Sequence, residues 1–453
     1  MPQGGVDKKI IILGTLIVVF IIALVLFLIL GRKSTKPGPT ASASNQLVIW
    51  DSFDDEENLA EYIAKFEDLN PDIKVIYEKK NPANYEVESI NAIAAGKGPD
   101  IWVIPSTWMA KHNGKLAALK DWKLDSKKKK TNAEVFKDDY LSVVANDGIK
   151  DDQVLGMPIF VDSLSLYYNP NLLNQKFQDY IKDHPNADPA NVSKILTTPP
   201  KTWADLESMV KLYGANTVGL GSSGIEHASD ILTALMLQYG AQMTSEDNKN
   251  AIFHTAKNSI NDMAYPGTKA LDYYASFSKK DSPNFTWDRS EKSAYQAFVK
   301  EKVAMMIGYK QEMNKIKTDL GYEPGLAGLP QIKDTTKPLD LAYYQVFTVP
   351  KSSQNQDKAW SFILSLTNPE ILPKYLNKVG VNSALKIQTE GSTDWADIQN
   401  KIAASWFNPD PAAVDKIFKT AVDQVLDGQK PQTAIDGAAA EVTALLEKLT
   451  AGQ

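Results

Sequence analysis

The sequence predicts a two-lobe α/β protein with hinge crossovers, preceded by one transmembrane helix, and three observations support this prediction. A chain of 453 residues is too long for one ordinary hydrophobic core. Between Leu47 and Ile104, short apolar stretches alternate with helical periodicity, which predicts a β-α-β-α-β opening with parallel strands. Residues 10–30 form an uncharged, largely apolar run of 21 residues, long enough to cross a bilayer.

The apolar run from Ile10 to Leu30 is predicted to be an uncleaved membrane anchor. A signal peptide has an apolar region of roughly 7 to 15 residues, and the small-x-small site Ala41-Ser42-Ala43 lies well beyond the end of this run. Residues 1–9 then form a cytoplasmic N-terminus, and residues 31–45, rich in Ser, Thr, Pro and Gly, form a flexible linker. Positive charges are nearly even on the two sides of the span, so they do not decide its orientation.

Composition argues against several classes of function. The chain has no cysteine, which excludes disulfides, cysteine nucleophiles and thiolate metal sites. A formal net charge of -6 gives no broad basic surface, so nucleic acid is not an expected partner. The four histidines lack the spacing of a metal pair, and no G-x-S-x-G nucleophile motif is present. We therefore expect no catalytic residue, no metal and no cofactor.

Polar side chains follow the first and third predicted strands, 47–50 and 100–104. Gly96 and Gly98 end the helix before the third of these strands. The carboxyl ends of strands are where open α/β sheets bind ligands. The first candidate ligand contacts are therefore Asp51, Ser52, Asp54, Thr107 and Trp108. Trp102, in contrast, alternates with apolar neighbours inside its strand and is predicted to lie in the core.

A second apolar run, residues 154–169, carries a carboxylate in its middle. Burying an unpaired carboxylate is costly, so we predict two strands joined by a hinge at 161–163, with Asp162 exposed to a cleft. A later strand, 303–307, is followed directly by Tyr309 and Gln311, again at a strand end.

Three motifs resemble the family 1 extracellular solute-binding proteins, which capture sugars for ABC importers. They are AAGKGPDI at 94–101, the run GMPIFVDSLSLYYN at 156–169, and PPKTWADL at 199–206. The second motif is similar to the segment in which that family passes between its lobes, where a carboxylate at the position of Asp162 contacts sugar hydroxyls. The resemblance extends roughly from Leu47 to Leu449, with residues 174–198 as an insertion of unassigned role.

The resemblance implies a type II periplasmic-binding-protein-like fold. Lobe 1 would comprise 46–160 plus 348–392, and lobe 2 would comprise 163–342 plus 393–453. Together with the anchor predicted at residues 10–30, it implies a single-pass cell-membrane protein whose globular part is extracytoplasmic. The globular part would act as a monomer, which captures a mono- or oligosaccharide and delivers it to an ABC permease.

A sugar site uses two kinds of side chain. Carboxylates and amides exchange paired hydrogen bonds with vicinal hydroxyls, while aromatic faces cover the C–H surface of a pyranose. Beyond the contacts after the first and third strands, the candidates are Asp162, Glu226, Tyr309, Gln311, Tyr344 and Trp406.

Some positions depart from the maltose-binding members of the family. Asp55 stands where those members have a lysine, Ile104 where they have a sugar-binding tryptophan, and Thr107-Trp108 where they have an Asp-Arg pair. Maltose itself is therefore doubtful as the ligand. Two alternatives remain open: a tethered extracellular enzyme acting on polysaccharide, with Asp54 and Asp162 as acid and base, and a sensory binding protein that reuses the fold.

The sequence GLGSSG, residues 219–224, has the glycine spacing of a dinucleotide-binding motif. The preceding strand is short, and no strand places an acidic residue after the motif. We therefore expect a plain glycine-rich loop.

Overall fold

The computed structural model describes residues 45–120, 130–256 and 265–451. The predicted anchor at 10–30, the N-terminus at 1–9 and nearly all of the linker lie outside these ranges. Within them, every helix is too short or too polar to span a bilayer.

The described chain forms thirteen strands and eighteen helices, with further 3₁₀ turns. The strands are β1 (Gln46–Asp51), β2 (Lys74–Lys79), β3 (Ile101–Pro105), β4 (Ile149–Lys150), β5 (Gln153–Val154), β6 (Gly156–Met157), β7 (Phe160–Tyr168), β8 (Met305–Tyr309), β9 (Gly325–Gly328), β10 (Asp340–Tyr343), β11 (Gln345–Thr348), β12 (Asn382–Ser383) and β13 (Ala403–Ala404).

The first nine helices belong to the part of the chain before residue 239. They are α1 (Glu56–Leu69), α2 (Tyr85–Ala94), α3 (Met109–His112), α4 (Asn132–Asp139), α5 (Ser142–Gly148), α6 (Pro170–Asp183), α7 (Pro189–Leu196), α8 (Trp203–Tyr213) and α9 (Ala228–Gln238). The later nine are α10 (Pro266–Ser276), α11 (Ala294–Val299), α12 (Met313–Leu320), α13 (Gln356–Ser365), α14 (Leu372–Val379), α15 (Lys386–Thr389), α16 (Trp395–Ile402), α17 (Pro411–Leu426) and α18 (Pro431–Ala451).

Two separate sheets organise these elements into two lobes. The sheet of lobe 1 has the order β2-β1-β3-β11-β6, and the sheet of lobe 2 has the path β12-β7-β10-β13, with β8 and β9 also paired to β7. β1 pairs in parallel with both β2 and β3, which confirms the predicted β-α-β-α-β opening. β11 returns antiparallel beside β3.

Each lobe has its own hydrophobic core, and the chain passes between the two cores three times. Trp102 and Trp360 are buried in the core of lobe 1, as predicted for Trp102, while Trp287 and Phe298 are buried in that of lobe 2. The side chains change core between Val161 and Leu164, between Leu341 and Ala342, and between Ala403 and Trp406. We refer to these three places as the crossovers.

The run around Asp162 forms one strand, so the predicted division into two strands at 161–163 is wrong, although the first crossover lies at this place. β7 continues from Phe160 to Tyr168, and the interruption lies just before it, near Pro158, which has no backbone N–H to donate to a sheet. Asp162 is only 3% exposed. Its carboxylate accepts backbone N–H groups from Ser163 at 2.8 Å, Gln311 at 2.8 Å and Lys310 at 3.2 Å. These hydrogen bonds offset the cost of burying the carboxylate. That cost was the reason for predicting an exposed Asp162.

The glycine-rich loop at 219–224 packs tightly against the rest of lobe 2. Gly221 has a φ of +98°, and a Cβ there would lie 2.7 Å from the carbonyl oxygen of Tyr274 and 2.8 Å from the amide nitrogen of Ser278. The backbone conformation and this close approach explain the glycine without a bound phosphate.

We expect Gly221→Ala to lower the free energy of unfolding by about 1–3 kcal/mol, because the added Cβ meets backbone atoms and the positive φ adds strain. Urea denaturation measures this change. Gly224→Ala is the matched control, since a Cβ there meets its nearest atom at 3.7 Å. Equal stability of the two variants would contradict the packing role of Gly221.

Candidate functional site

A cavity of about 580 Å³ lies between the two lobes, within the range typical of small-molecule sites. Lobe 1 contributes the turn after β3, with Ser106 and Thr107, together with Ala110 of α3 and Asp147 of α5. Lobe 2 contributes the first turns of α9 and α17, and the second and third crossovers complete the wall.

Four aromatic side chains among the described residues line this cavity: Tyr309, Tyr343, Trp406 and Phe407. The rings of Tyr309 and Tyr343 lie 5.2 Å apart at an angle of 38°. The ring of Trp406 stacks on Phe418, whose side chain is fully buried in the core of lobe 2. Because the rings of Tyr309, Tyr343 and Trp406 pack on other rings, this part of the cavity wall is preorganised to receive a flat apolar surface.

A group of charged side chains holds one carboxylate at the cavity. Asp230, in the first turn of α9, accepts a hydrogen bond from the hydroxyl of Tyr309 at 3.1 Å and lies 3.6 Å from Nδ1 of His227. The other ring nitrogen of His227 lies 3.1 Å from Oε1 of Glu312. Burial lowers the pKa of His227, but hydrogen bonds to Asp230 and Glu312 outweigh that effect and raise it to about 10. His227 is therefore an imidazolium at neutral pH, and its positive charge lies beside the side chain of Asp230.

A second carboxylate of the cavity, Asp147, receives hydroxyl donors from two crossovers. The hydroxyl of Tyr344 donates to it at 2.6 Å, and Ser405 Oγ donates to its other oxygen. Burial raises the pKa of Asp147 to about 6, although the hydrogen bonds from Ser405 and Tyr344 oppose the rise.

Three of the side chains predicted as ligand contacts line the cavity, namely Thr107, Tyr309 and Trp406. The other predicted contacts are not among the described residues that line it: Asp51, Ser52, Asp54, Trp108, Asp162, Glu226, Gln311 and Tyr344.

In lobe 1, the candidates outside the cavity meet other parts of the lobe. Asp51 accepts the backbone N–H of Phe53 at 2.7 Å, and Asp54 accepts the hydroxyl of Tyr375 at 2.9 Å. Trp108 stacks on Tyr85 with ring centroids 6.0 Å apart. Ser52 is buried, and its hydroxyl has no partner among the described residues.

The remaining candidates outside the cavity make structural contacts in lobe 2 or at a crossover. Glu226 accepts the backbone N–H of Tyr295 at 3.0 Å, Gln311 donates its backbone N–H to Asp162, and Tyr344 donates to Asp147. A ligand contact by any of these side chains stays a prediction.

Sequence reasoning missed Asp230, Tyr343 and Asp147. Asp230 could have been noticed as an acidic residue in the first turn of a predicted helix, directly after the glycine-rich loop. Asp147 follows the apolar residues of a short predicted helix, and its two hydroxyl donors lie 197 and 258 residues further along the chain.

An ion pair joins the two lobes at the edge of the cavity. Nζ of Lys111 lies 2.8 Å from Oε1 of Glu86 in lobe 1 and 2.8 Å from Oδ2 of Asp410 in lobe 2. The neighbouring residues Ala110 and Pro411 line the cavity. Asp410 also accepts the backbone N–H of Ala413 and so caps α17.

We expect Asp410→Asn to weaken the contact between the lobes by up to about 1 kcal/mol, because asparagine keeps the helix cap and loses the charge. Since the chain has no cysteine, spin labels on Glu88→Cys and Lys416→Cys, exposed positions in the two lobes, can report the distance between the lobes. The variant should show a larger share of long distances. Asp427→Asn, which removes an ion pair with Arg289 inside lobe 2, is the control and should leave the distribution unchanged.

Comparisons with known proteins agree with this architecture. The family model described as bacterial extracellular solute-binding protein matches residues 50–372. The maltotriose-binding protein of Pyrococcus abyssi is 21% identical over 74% of this chain and 66% of its own length. The galactooligosaccharide-binding protein of Bacillus subtilis is 25% identical over 44% of this chain and 46% of its own length. The chain thus matches less than two thirds of the length of either relative.

A solved structure of the sugar-binding protein MalE from the phytopathogen Xanthomonas citri superposes with a TM-score of 0.68. It is 18% identical, and the alignment covers 89% of this chain and 98% of that one. At this identity the superposition establishes the two-lobe α/β fold, which is the predicted fold of the globular part.

Proposed function

The chain belongs to the bacterial extracellular solute-binding protein family, and we propose that it binds an oligosaccharide in the cavity between its lobes. The observation that carries this proposal is the combination of aromatic side chains with a positioned carboxylate, Asp230, around one cavity of suitable size. The two relatives described above are named for binding oligosaccharides, which supports the same ligand class here.

The proposed ligand contacts are Thr107, Tyr309, Tyr343, Trp406 and Asp230. The aromatic rings would cover the C–H faces of the sugar rings, and the carboxylate of Asp230 would accept hydrogen bonds from vicinal hydroxyls. His227 and Tyr309 hold that carboxylate in place, so little side-chain freedom is lost on binding. These contacts come from both lobes. The ligand would therefore stabilise the closed arrangement through the contacts that form only when the lobes are closed.

The relatives are named as binding proteins, so we propose capture of the ligand without chemical conversion. Within the described ranges, no group of three or more metal-ligating side chains is present. No cofactor enters the proposed function.

Delivery and location are further parts of this proposal. Residues 10–30 would anchor the protein in the cell membrane, with the lobes on the extracytoplasmic side, and residues 31–45 would tether them near an ABC permease. Tethering raises the local concentration of the carrier at the permease. In this proposal the carrier works as a monomer. Extraction of native membranes with and without detergent tests the anchor. In a separate experiment, protease treatment of intact cells tests the side of the membrane on which the lobes lie.

A thermal-shift screen of the protein tests the ligand class. Maltotriose, a galactooligosaccharide and a set of monosaccharides are the probes, and a ligand at about 100 times its dissociation constant should add about 2.7 kcal/mol of stability. Chromatography of the incubated sugars should recover them unchanged, whereas cleavage would favour the polysaccharide-acting enzyme. Shifts with amino acids or polyamines and none with sugars would overturn the proposal.

A further inference from the structure

Asp147 connects three parts of the fold at the junction of the two lobes. It belongs to α5 of lobe 1, it binds Tyr344 next to the second crossover, and it binds Ser405 at the third. Both carboxylate oxygens are used, one for each hydroxyl. A single side chain of lobe 1 is therefore fastened to two of the three crossovers.

The bond to Ser405 extends this connection to the cavity wall. Trp406 follows Ser405 directly, lines the cavity and stacks on Phe418 of lobe 2. Asp147 itself lines the same cavity and is partly buried. A change in the Asp147–Ser405 bond would thus move the backbone that carries an aromatic face of the site.

The charged groups around Asp147 have other partners. Lys150 of β4 donates to Oδ1 of Asn113 at 3.0 Å, and Asp415 of α17 pairs with Lys419 at 2.9 Å. Asp230 of α9 is held by His227 and Tyr309. The ionisation state of Asp147 is consequently governed by burial, which raises its pKa to about 6, and by its two hydroxyl donors, which oppose that rise.

We propose that Asp147 is a positioning residue that fastens lobe 1 to the second and third crossovers and thereby couples the separation of the lobes to the position of Trp406. The coupling to ligand binding rests on the proposed function, whereas the control of lobe separation does not. Ionised Asp147 accepts both hydroxyls; protonated Asp147 carries a hydrogen on one oxygen and loses part of that capacity.

Spin-label distances between Glu88→Cys and Lys416→Cys, measured on the ligand-free full chain, test the proposal. In the otherwise native protein the distribution should change between about pH 5 and about pH 8, with a midpoint near the pKa of Asp147. Asp147→Asn should alter the distribution at neutral pH and abolish its pH dependence. An Asp147→Asn protein with the native distribution across that pH range would overturn the proposal.

Two single-hydroxyl variants keep the test informative if Asp147→Asn fails to fold. Ser405→Ala and Tyr344→Phe each remove one donor and leave the carboxylate in place, so each should shift the distance distribution. Ser278→Ala is the matched control, because this buried hydroxyl donates to the carbonyl of Leu220 inside lobe 2. Native distributions in both donor variants would also overturn the proposal.

A stability measurement separates the positioning role from general loss of structure. Because the pKa of Asp147 is raised in the folded protein, the fold binds this proton more tightly than the unfolded chain does. The contribution of Asp147 to the free energy of unfolding therefore falls as the pH rises from about 4 to about 6. Asp147→Asn should remove this part of the pH dependence of the free energy of unfolding. Failure of every sugar probe would refute the proposed ligand and leave these ligand-free results intact.

Discussion

Trp406→Ala should weaken oligosaccharide binding by roughly 10- to 100-fold, which corresponds to about 1.4–2.8 kcal/mol of binding free energy. The indole ring is partly exposed, lines the cavity and is supported from behind by Phe418. Removing it deletes an apolar face that a sugar ring would cover, and it leaves that part of the cavity open to water. Isothermal titration with the best sugar from the thermal-shift screen measures the loss.

Two variants make this result specific to the Trp406 ring. Trp406→Phe keeps a flat ring and should recover part of the affinity, while Tyr265→Ala removes an aromatic side chain that is 46% exposed and outside the cavity lining. We expect Tyr265→Ala to bind as the native protein does. Unchanged affinity in Trp406→Ala would exclude this ring from the site.

Local patterns were sufficient to predict the opening of lobe 1, from β1 to β3. The strands β1, β2 and β3 follow one another with helices between them, so apolar periodicity and helix stops indicated their order and their parallel pairing. Trp102 was placed in the core for the same reason, since it alternates with apolar residues of a strand that is buried along its whole length. These predictions depend on residues close together in the chain.

The composition of the cavity depends instead on residues far apart in sequence. The hydroxyl of Tyr309 reaches Asp230 across 79 positions, and Asp147 meets Tyr344 across 197. Single-residue patterns carry no information about such pairs. Trp108 follows a strand end, as a ligand contact should, but its ring stacks on Tyr85 inside lobe 1, and Trp108 is not among the described residues that line the cavity.

Asp162→Ala should lower the free energy of unfolding by roughly 2–5 kcal/mol, because three backbone N–H groups lose their acceptor in a buried place. Two of these groups belong to Lys310 and Gln311, which directly follow Tyr309. The variant should therefore also disturb the part of the cavity wall next to β8. Urea denaturation measures the stability change, and Asp55→Ala, at a carboxylate that is 70% exposed, should change stability by less than about 0.5 kcal/mol.

A second variant, Asp162→Asn, separates the two roles considered for Asp162. If the carboxylate only holds backbone groups, Asp162→Asn should retain one acceptor oxygen, lose less stability than the alanine variant and bind sugar with an affinity close to native. If the carboxylate contacts sugar hydroxyls, the affinity of the folded Asp162→Asn protein should fall at least tenfold, a loss of about 1.4 kcal/mol. Titration of the folded variant distinguishes these outcomes, because binding and stability are measured separately. We expect the first outcome, since the two oxygens of Asp162 already accept three backbone N–H groups.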